Sequence, residues 1–266
     1  MPAARSRARR RRHPPATAMN WSLAVLRPGE EFPAPERALG SDSPYPGLLA
    51  AGGSLDAPTL QRAYSQGIFP WFGEDEPLLW WSPDPRMVLL PGQLRVHRSL
   101  RQAARRMAGD PRYALRVDTA FEAVMRGCAA PRRHGGGTWI VEPIVAAYCA
   151  LHRLGLAHSF ELWRDDRLVA GLYLVGLGGC AFGESMFTRV SDGSKVLLMA
   201  LCGFALAHGL RWIDCQQQTA HLAGLGARPW PRRRFLDCLA QARALPAPPG
   251  WQYDWTQFRQ HCAAWL

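Results

Sequence analysis

The most constraining feature of this sequence is a run of three strand-like segments joined by very short turns. Apolar residues dominate Ser159–Arg164, Arg167–Leu177 and Cys180–Phe187, and the pairs Asp165-Asp166 and Gly178-Gly179 separate them. Such pairs between strand-like segments are typical of tight hairpin turns. The pattern predicts an antiparallel meander, which must be covered by other layers of secondary structure to bury its apolar face.

The segments after the meander predict a long helix and one more strand. An apolar stretch begins at Asp192 or Ser194 and runs to about His208, where Gly209 ends it. Leu210–Gln216 follows as the next strand. Mixed strands and helices in this order favour an α+β fold with a mixed sheet.

This element order is similar to that of the acyl-CoA-dependent N-acetyltransferase superfamily. Those proteins carry a pyrophosphate-binding loop of the form Q/R-x-x-G-x-G/A before the long helix. The corresponding stretch here, Thr188–Ser194, reads TRVSDGS and does not match. We therefore expect the architecture without acyl-CoA binding, and an acyl-CoA-dependent N-acyltransferase stays the alternative function.

The region before the meander differs in composition. An irregular start rich in proline and glycine leads to a short helix predicted at Asp56–Gln66 and to the aromatic-dense stretch Ile68–Trp81. Pro83 and Pro85 then interrupt regular secondary structure. We predict three parts: a disordered basic extension at 1–18, a small N-terminal α/β domain at 19–84, and an acetyltransferase-like catalytic domain at 85–266.

The net charge of +11 is unevenly spread, because residues 1–18 hold six arginines and no acid. This head could be a secretory signal or a transit peptide; the third interpretation is an unstructured extension, or a start codon assigned too early with Met19 as the true beginning. Its short apolar stretch and its prolines favour the third interpretation. The rest of the chain is mildly basic, which fits a localised patch for an anionic partner.

Cysteine usage and hydropathy indicate the kind of cellular compartment in which the protein works. The seven cysteines are scattered and form no C-x-x-C pair, which argues against a disulfide scaffold and a zinc site and favours a reducing environment. The longest uncharged apolar run, Leu168–Gly183, is shorter than the roughly 20 residues of a membrane helix. We expect a cytoplasmic monomer without a metal site or membrane contact.

Polar residues on two of the predicted strands form a candidate site. Because residues two apart share a face of a strand, Asp214 and Gln216 should lie together, with Cys215 behind them. By the same rule Phe182, Glu184 and Met186 share a face. If the strands are neighbours, a polar cluster meets an apolar wall, as in many ligand pockets.

Such a pair suits one kind of chemistry. A carboxylate at Asp214 can accept from the amide of Gln216 and so aim its carbonyl oxygen at an attacking amine. This arrangement serves an electrophile that is already activated, since positioning then supplies much of the acceleration. The structural alternatives are a helix cap for Asp214, an ion pair for Glu184 and core packing for Met186.

A basic helix is predicted at Ser99–Met107, and its alternative interpretation is a solvated face. Its arginines, with the one before it, are Arg98, Arg101, Arg105 and Arg106. Lys195 is the sole lysine among 32 basic residues, which suggests a place where a compact ammonium is needed.

A series of segments in fixed order resembles the leucyl/phenylalanyl-tRNA–protein transferases, from about Phe32 to about Leu239. The segments are FPAPERAL (Phe32–Leu39), GLLAAGGSL (Gly47–Leu55), AYSQGIFPWF (Ala63–Phe72), LLWWSPDPRMVL (Leu78–Leu89), RSL (Arg98–Leu100), GTWI (Gly137–Ile140), AYCALHRLGLAHSFELW (Ala147–Trp163), LVAGLY (Leu168–Tyr173), FGESMF (Phe182–Phe187), SK (Ser194-Lys195), IDCQ (Ile213–Gln216) and HLAGLGA (His221–Ala227).

The resemblance implies an enzyme that moves Leu or Phe, and less well Met, from aminoacyl-tRNA to the N-terminal Arg or Lys of a protein, creating an N-degron. It implies no metal and no diffusible cofactor. It also implies Asp214 and Gln216 as the catalytic pair, with Glu184 beside them.

Further residues take roles from the same resemblance. Met186 and Leu172, with Phe182, are implied in the apolar wall for the donor side chain, and Trp71 and Trp139 in stacking on the terminal adenosine. The residues implied in contacts with the tRNA backbone are Arg98, Arg101, Arg105, Arg106 and Lys195.

Overall fold

The strand-like segments after Ala157 pair as predicted and form the middle of a seven-stranded sheet. The computed structural model describes residues 22–130 and 140–266, so the predicted extension at 1–18 and Trp139 lie outside the described residues. The strands are β1 (Ala24–Leu26), β2 (Leu48–Gly52), β3 (Phe69–Pro70), β4 (Leu79–Trp81), β5 (Arg86–Leu89), β6 (Tyr113–Val117), β7 (Ala157–Arg164), β8 (Arg167–Leu177), β9 (Cys180–Thr188), β10 (Trp212–Gln216) and β11 (Arg228–Trp230). The helices are α1 (Ala57–Ser65), α2 (Arg98–Gly109), α3 (Phe121–Ala129), α4 (Glu142–Arg153), α5 (Gly193–Ala207), α6 (Ala220–Gly224), α7 (Arg232–Ala242) and α8 (Trp255–His261).

The large sheet has the strand order β11-β5-β10-β9-β8-β7-β6. Strands β7, β8 and β9 are antiparallel neighbours, β10 is parallel to β9, and β5 returns antiparallel to β10. The predicted α+β class with a mixed sheet is confirmed, as is the order of three antiparallel strands, a helix and a strand. A second, four-stranded sheet has the order β1-β2-β4-β3.

The apolar composition of helix α5 explains why it is buried. From Val196 to Ala205 every residue is buried, as expected for a helix that is apolar on all sides. Asp192 is the N-cap in a left-handed conformation, with φ 62°. Its carboxylate makes no capping bond and accepts from the Nζ of Lys195 at 2.8 Å instead.

The large sheet separates two hydrophobic cores. One contains α2, α5 and α8 and includes Leu172 and Leu174 of β8; the other contains α1, α3, α4 and α7 and includes Tyr173 and Val175. The second core continues into the four-stranded sheet through Trp80 and Trp81. The division at residue 84 stays a prediction, and residues on both sides of it pack in this one core.

Two parts of the fold were not predicted. Strand β2 lies in the stretch expected to be irregular, because pairing with β1 and β4 stabilises an alanine-rich segment of low strand propensity. The C-terminal tail forms α8, which begins with a capping box at Asp254. It is anchored by the fully buried Phe258 and Cys262, and the Cys262 Sγ lies 3.6 Å from the Met199 carbonyl oxygen of α5.

Two neighbouring strands of the large sheet are irregular at the same level. In β9 the register to β8 shifts so that Tyr173 pairs with Ser185 and Leu174 with Gly183, which leaves Glu184 as an extra residue. In β10 Asp214 pairs with Val88 and Gln216 with Met87, so Cys215 is the extra residue there. A bulge reverses which face each later side chain occupies.

Candidate active site

The bulge at Glu184 redistributes the residues of β9. Phe182 is fully buried in the core that contains α3 and α4, whereas Met186 packs against the core on the α5 side. The prediction that Phe182, Glu184 and Met186 share a face is therefore wrong, because strict alternation ends at the extra residue. Phe182 packs against Tyr64 and Trp212, with ring centroids 5.0 and 5.9 Å apart.

The bulge in β10 has the same effect on Asp214 and Gln216. Gln216 adopts φ 60°, and it lines a pocket together with Ile213 and Cys215. Asp214 is fully buried and is not among the described residues that line the pocket. The expected common face is wrong, and so is the placement of Cys215 behind the pair.

Asp214 is held by a buried arginine that the sequence analysis had given no role. The Nη2 of Arg86 lies 2.6 Å from Oδ2 of Asp214, and its Nε donates to Oδ1 at 2.9 Å; both side chains are completely buried. Arg86 also donates to the Gly67 carbonyl at 2.9 Å, and its guanidinium lies over the rings of Phe69 and Phe235. An arginine alone at the start of the apolar run RMVLL was the signal in the sequence, because a charge in a buried strand requires a partner.

The hydrogen bonds of Gln216 differ from those expected. Its backbone N–H donates to Oδ1 of Asp214 at 2.8 Å, while its side-chain Nε2 donates to Oε1 of Glu184 at 2.9 Å. The prediction that Asp214 orients the amide directly is wrong. Asp214 positions the backbone of the left-handed residue, and Glu184 orients the amide.

Glu184 is the centre of a polar cluster at the pocket. Its Oε2 accepts from the hydroxyl of Tyr148 at 3.3 Å, and the hydroxyls of Tyr148 and Tyr64 lie 2.5 Å apart. Burial raises the pKa of Glu184 from 4.5 to about 7, although hydrogen bonds from Tyr64 and Gln216 act in the opposite direction. Neither tyrosine was predicted at the site, because α1 and α4 reach this point only through tertiary packing.

The pocket has a volume of about 510 Å³ and two chemically different sides. Its polar side includes Glu184, Gln216 and Ser185. Its apolar side is built largely from the α5 core, and the described residues there are Leu172, Met186, Leu198, Leu201, Ile213 and Leu222. Leu172 and Met186 lie in this apolar wall, whereas Phe182 is not among the described residues that line the pocket.

The remaining predicted residues lie around the pocket or away from it. Trp71 lines the pocket, is 38% exposed and packs edge-on against Trp81. Lys195 lies at the start of α5 and pairs with Asp192. The arginines of α2 are exposed on the side opposite its buried residues, and the Nε of Arg101 donates to the Trp265 carbonyl at 2.8 Å.

Within residues 22–130 and 140–266, no three His, Cys, Asp or Glu side chains are grouped so that they could hold a metal ion. No helix in this described part of the chain has the length and apolar character needed to span a membrane.

Two models of known protein families match this chain. The family model described as leucyl/phenylalanyl-tRNA protein transferase matches residues 88–240, and the model of its N-terminal domain matches residues 53–84. The chain belongs to this family. It is therefore an aminoacyltransferase enzyme. Both matched regions contribute to the pocket, since Trp71 lies in residues 53–84 and Glu184 in residues 88–240.

Relatives of high identity span nearly the whole chain. A leucyl/phenylalanyl-tRNA–protein transferase of Albidiferax ferrireducens is 52% identical over 233 residues, which cover 87% of this chain and 91% of that protein. One of Bordetella avium is 54% identical over 223 residues, covering 82% and 88%. Among solved structures, FemX matches with a TM-score of 0.40 and 11% identity over 65% of this chain and 66% of its own. A GCN5-related N-acetyltransferase from Kribbella flavida matches with a TM-score of 0.31 and 14% identity, over 64% and 59%.

The first prediction concerns the ion pair. Replacing Arg86 with Met leaves the Asp214 carboxylate buried without its counter-charge, so we expect the free energy of unfolding to fall by about 3–5 kcal/mol. Urea denaturation of the two proteins measures this difference. The matched control is Arg126→Met, because Arg126 pairs with Glu122 and Glu142 in the solvent and such pairs add little stability. Equal urea midpoints for Arg86→Met and the parent protein would contradict this account of Asp214.

Proposed function

We propose that this enzyme transfers leucine or phenylalanine, and methionine less well, from aminoacyl-tRNA to the α-amino group of an N-terminal Arg or Lys of an acceptor protein. The product carries a new N-terminal residue that acts as an N-degron. The observation that carries the proposal is the hydrogen-bonded pair Glu184–Gln216 beside an apolar wall. This arrangement joins a group that can receive a proton to a site for an apolar side chain.

The apolar side of the pocket suits the donor amino acid. Leu172, Met186 and Ile213 present only carbon and sulfur atoms to it. A leucine, phenylalanine or methionine side chain gains free energy on leaving water for such a wall. A charged side chain would lose its hydration there without finding a partner.

The polar side suits the attack of an amine on an ester. The Nε2 of Gln216 donates a hydrogen bond to Glu184. The Oε1 of Gln216 is therefore the atom that accepts a hydrogen bond from the attacking amine. As the nitrogen adds to the ester carbonyl carbon, Glu184 takes the proton that the nitrogen loses. The ester C–O bond then breaks, and the departing ribose oxygen receives that proton. A base with a pKa near the working pH is well suited to this exchange.

In this mechanism Asp214 is a positioning residue rather than a base. Its carboxylate is fully buried, and the guanidinium of Arg86 contacts both of its oxygens. Asp214 instead holds the backbone N–H of Gln216. It therefore acts on the reaction through the orientation of that residue.

The tRNA is proposed to approach from the side of Trp71. An exposed indole at the pocket is suited to stacking on the terminal adenosine, a contact worth roughly 1–3 kcal/mol per base. We propose the same stacking role for Trp139. We propose that the α2 arginines and Lys195 contact the phosphate backbone without reading sequence. The reaction would take place in the cytoplasm on a monomer.

The alternative acyl-CoA reaction is disfavoured at the start of α5. Asp192 is the N-cap residue of this helix, so a carboxylate lies close to the backbone N–H groups that a pyrophosphate would need.

A transfer assay tests the proposal directly. Purified protein should move radiolabelled leucine from charged tRNA to a peptide that begins with Arg or Lys, and not to the same peptide beginning with Ala. Acid-precipitable or chromatographically resolved product measures the transfer. Absence of product with correctly charged tRNA and the Arg peptide would reject the function, and acetyl-CoA in place of charged tRNA tests the alternative.

The pH dependence of transfer tests Glu184 as the proton acceptor. Since its pKa is raised to about 7, the single-turnover rate should increase as the pH rises through about 7 and Glu184 loses its proton. We expect Glu184→Gln to lower the rate by about 10²–10⁴-fold. It should also remove this inflection and leave only that of the acceptor amine near pH 8. A variant that keeps the inflection would show that another group titrates.

A control variant and a stability measurement distinguish the role of Glu184 in proton transfer from its effect on folding. Glu122→Gln, an exposed glutamate on α3, should leave the pH profile unchanged. A glutamate whose pKa is higher in the folded state than its ordinary value of 4.5 stabilises the fold at acid pH, and that contribution is lost as the pH rises through about 7. Glu184→Gln should therefore be more stable, relative to the parent protein, at pH 8 than at pH 5 in thermal unfolding.

The salt dependence of tRNA binding tests the basic helix. Replacing Arg98, Arg105 and Arg106 with Ala should weaken binding and reduce the slope of log K against log salt by about two to three, if each arginine meets one phosphate. Arg101 is kept because it holds the C-terminus. Arg211→Ala is the control, since this exposed arginine precedes β10 at the end away from Gln216. An unchanged slope in the triple variant would place the tRNA elsewhere.

A further inference from the structure

Tyr173 is a pocket residue that neither the sequence analysis nor the family resemblance assigned a role. It lies on β8 opposite Ser185, immediately beside the bulge at Glu184. Its side chain is fully buried and it lines the pocket. Its ring packs edge-on against Tyr148 and Phe121, with centroids 5.6 and 6.1 Å away.

Within residues 22–130 and 140–266, the hydroxyl of Tyr173 has no hydrogen-bond partner. Among the pocket-lining side chains that the structure describes, it is the one whose polar atom is both buried and unpaired. A buried hydroxyl without a partner lowers stability relative to phenylalanine, which would fill the same space. Its presence therefore indicates a partner that arrives with the substrate.

The neighbouring groups indicate which substrate atom that partner is. The Nε2 of Gln216 and the hydroxyl of Tyr148 already donate to Glu184. Glu184 and the carbonyl of Gln216 are acceptors, which suit the amine. The other reacting atom, the ester carbonyl oxygen, gains negative charge when the amine adds, and so it needs a donor.

We propose that the Tyr173 hydroxyl donates a hydrogen bond to the carbonyl oxygen of the aminoacyl ester and to the oxyanion which that oxygen becomes. The amine nitrogen bonds to the carbonyl carbon, the C=O π electrons move to the oxygen, and Tyr173 stabilises the charge without losing its proton. When the electrons return, the ester C–O bond breaks and the ribose hydroxyl leaves. This assignment rests on the proposed transferase function.

Burial supports the role of a donor. It raises the pKa of Tyr173 well above its ordinary value, so the group keeps its proton throughout the working range. A donor that is buried before the substrate arrives has already lost its hydration when the charge develops, and this is how it would increase the rate.

The test compares Tyr173→Phe with the parent protein and with Tyr253→Phe. Tyr253 is also a buried tyrosine, but it lies outside the described pocket lining, and its hydroxyl is 3.5 Å from the Gln257 carbonyl. Steady-state transfer from leucyl-tRNA to an Arg-initiated peptide gives kcat and the KM for charged tRNA. Thermal unfolding of each variant measures stability.

We expect Tyr173→Phe to lower kcat by roughly 10²-fold while KM changes by less than about threefold, as for a contact that becomes much stronger in the transition state. The variant should be at least as stable as the parent, since the Tyr173 hydroxyl makes no hydrogen bond within the described part of the chain. Tyr253→Phe should keep the parent kcat.

An unchanged kcat in Tyr173→Phe, or an effect confined to KM, would overturn the assignment. A loss of stability equal to that of Tyr253→Phe would also overturn it, because the hydroxyl would then have a partner in the fold. The parent protein distinguishes the two levels of proposal: if it fails to transfer leucine at all, the proposed function fails, whereas an active parent with an equally active Tyr173→Phe rejects only this inference.

Discussion

The geometry of the pocket depends on one buried ion pair, between Arg86 and Asp214. An isolated charge at either position would be strongly unfavourable in a fully buried environment, so the two side chains must remain together. Arg86 comes from β5 and Asp214 from β10, and the guanidinium is also bonded to the carbonyl of Gly67. The pair thus joins two strands of the large sheet to the turn that follows α1.

The ion pair affects the pocket through the backbone of Gln216. Asp214 accepts the N–H of Gln216 and so supports a non-glycine residue in the left-handed region, a conformation that needs support from its surroundings. With its backbone held in this way, the amide of Gln216 reaches Glu184, which is itself the extra residue of a bulge. Bulges at one level in the neighbouring strands β9 and β10 thus bring Glu184 and Gln216 to the same pocket.

The polar cluster also joins parts of the chain that are far apart in sequence. Tyr64 of α1, Tyr148 of α4 and Glu184 of β9 meet beneath the pocket, and Phe69, Pro70 and Trp71 line its wall. The N-terminal region is therefore part of the site rather than an appendage. For the proposed reaction this arrangement brings the acceptors for the amine and the donor for the ester oxygen into one cavity.

The sequence by itself determined the three-stranded meander, helix α5, the α+β class and the family. Turn residues at Asp165-Asp166 and Gly178-Gly179 and the uniformly apolar α5 specify local structure through short-range preferences, and these predictions are confirmed. Only the tertiary structure decided which side chains meet. Alternation along a strand predicts a shared face for Asp214 and Gln216, but a bulge depends on pairing with the neighbouring strand, and one extra residue reverses every face beyond it. The partner of Asp214, 128 positions away in the chain, and the unpaired hydroxyl of Tyr173 follow from packing between distant segments, which no local pattern encodes.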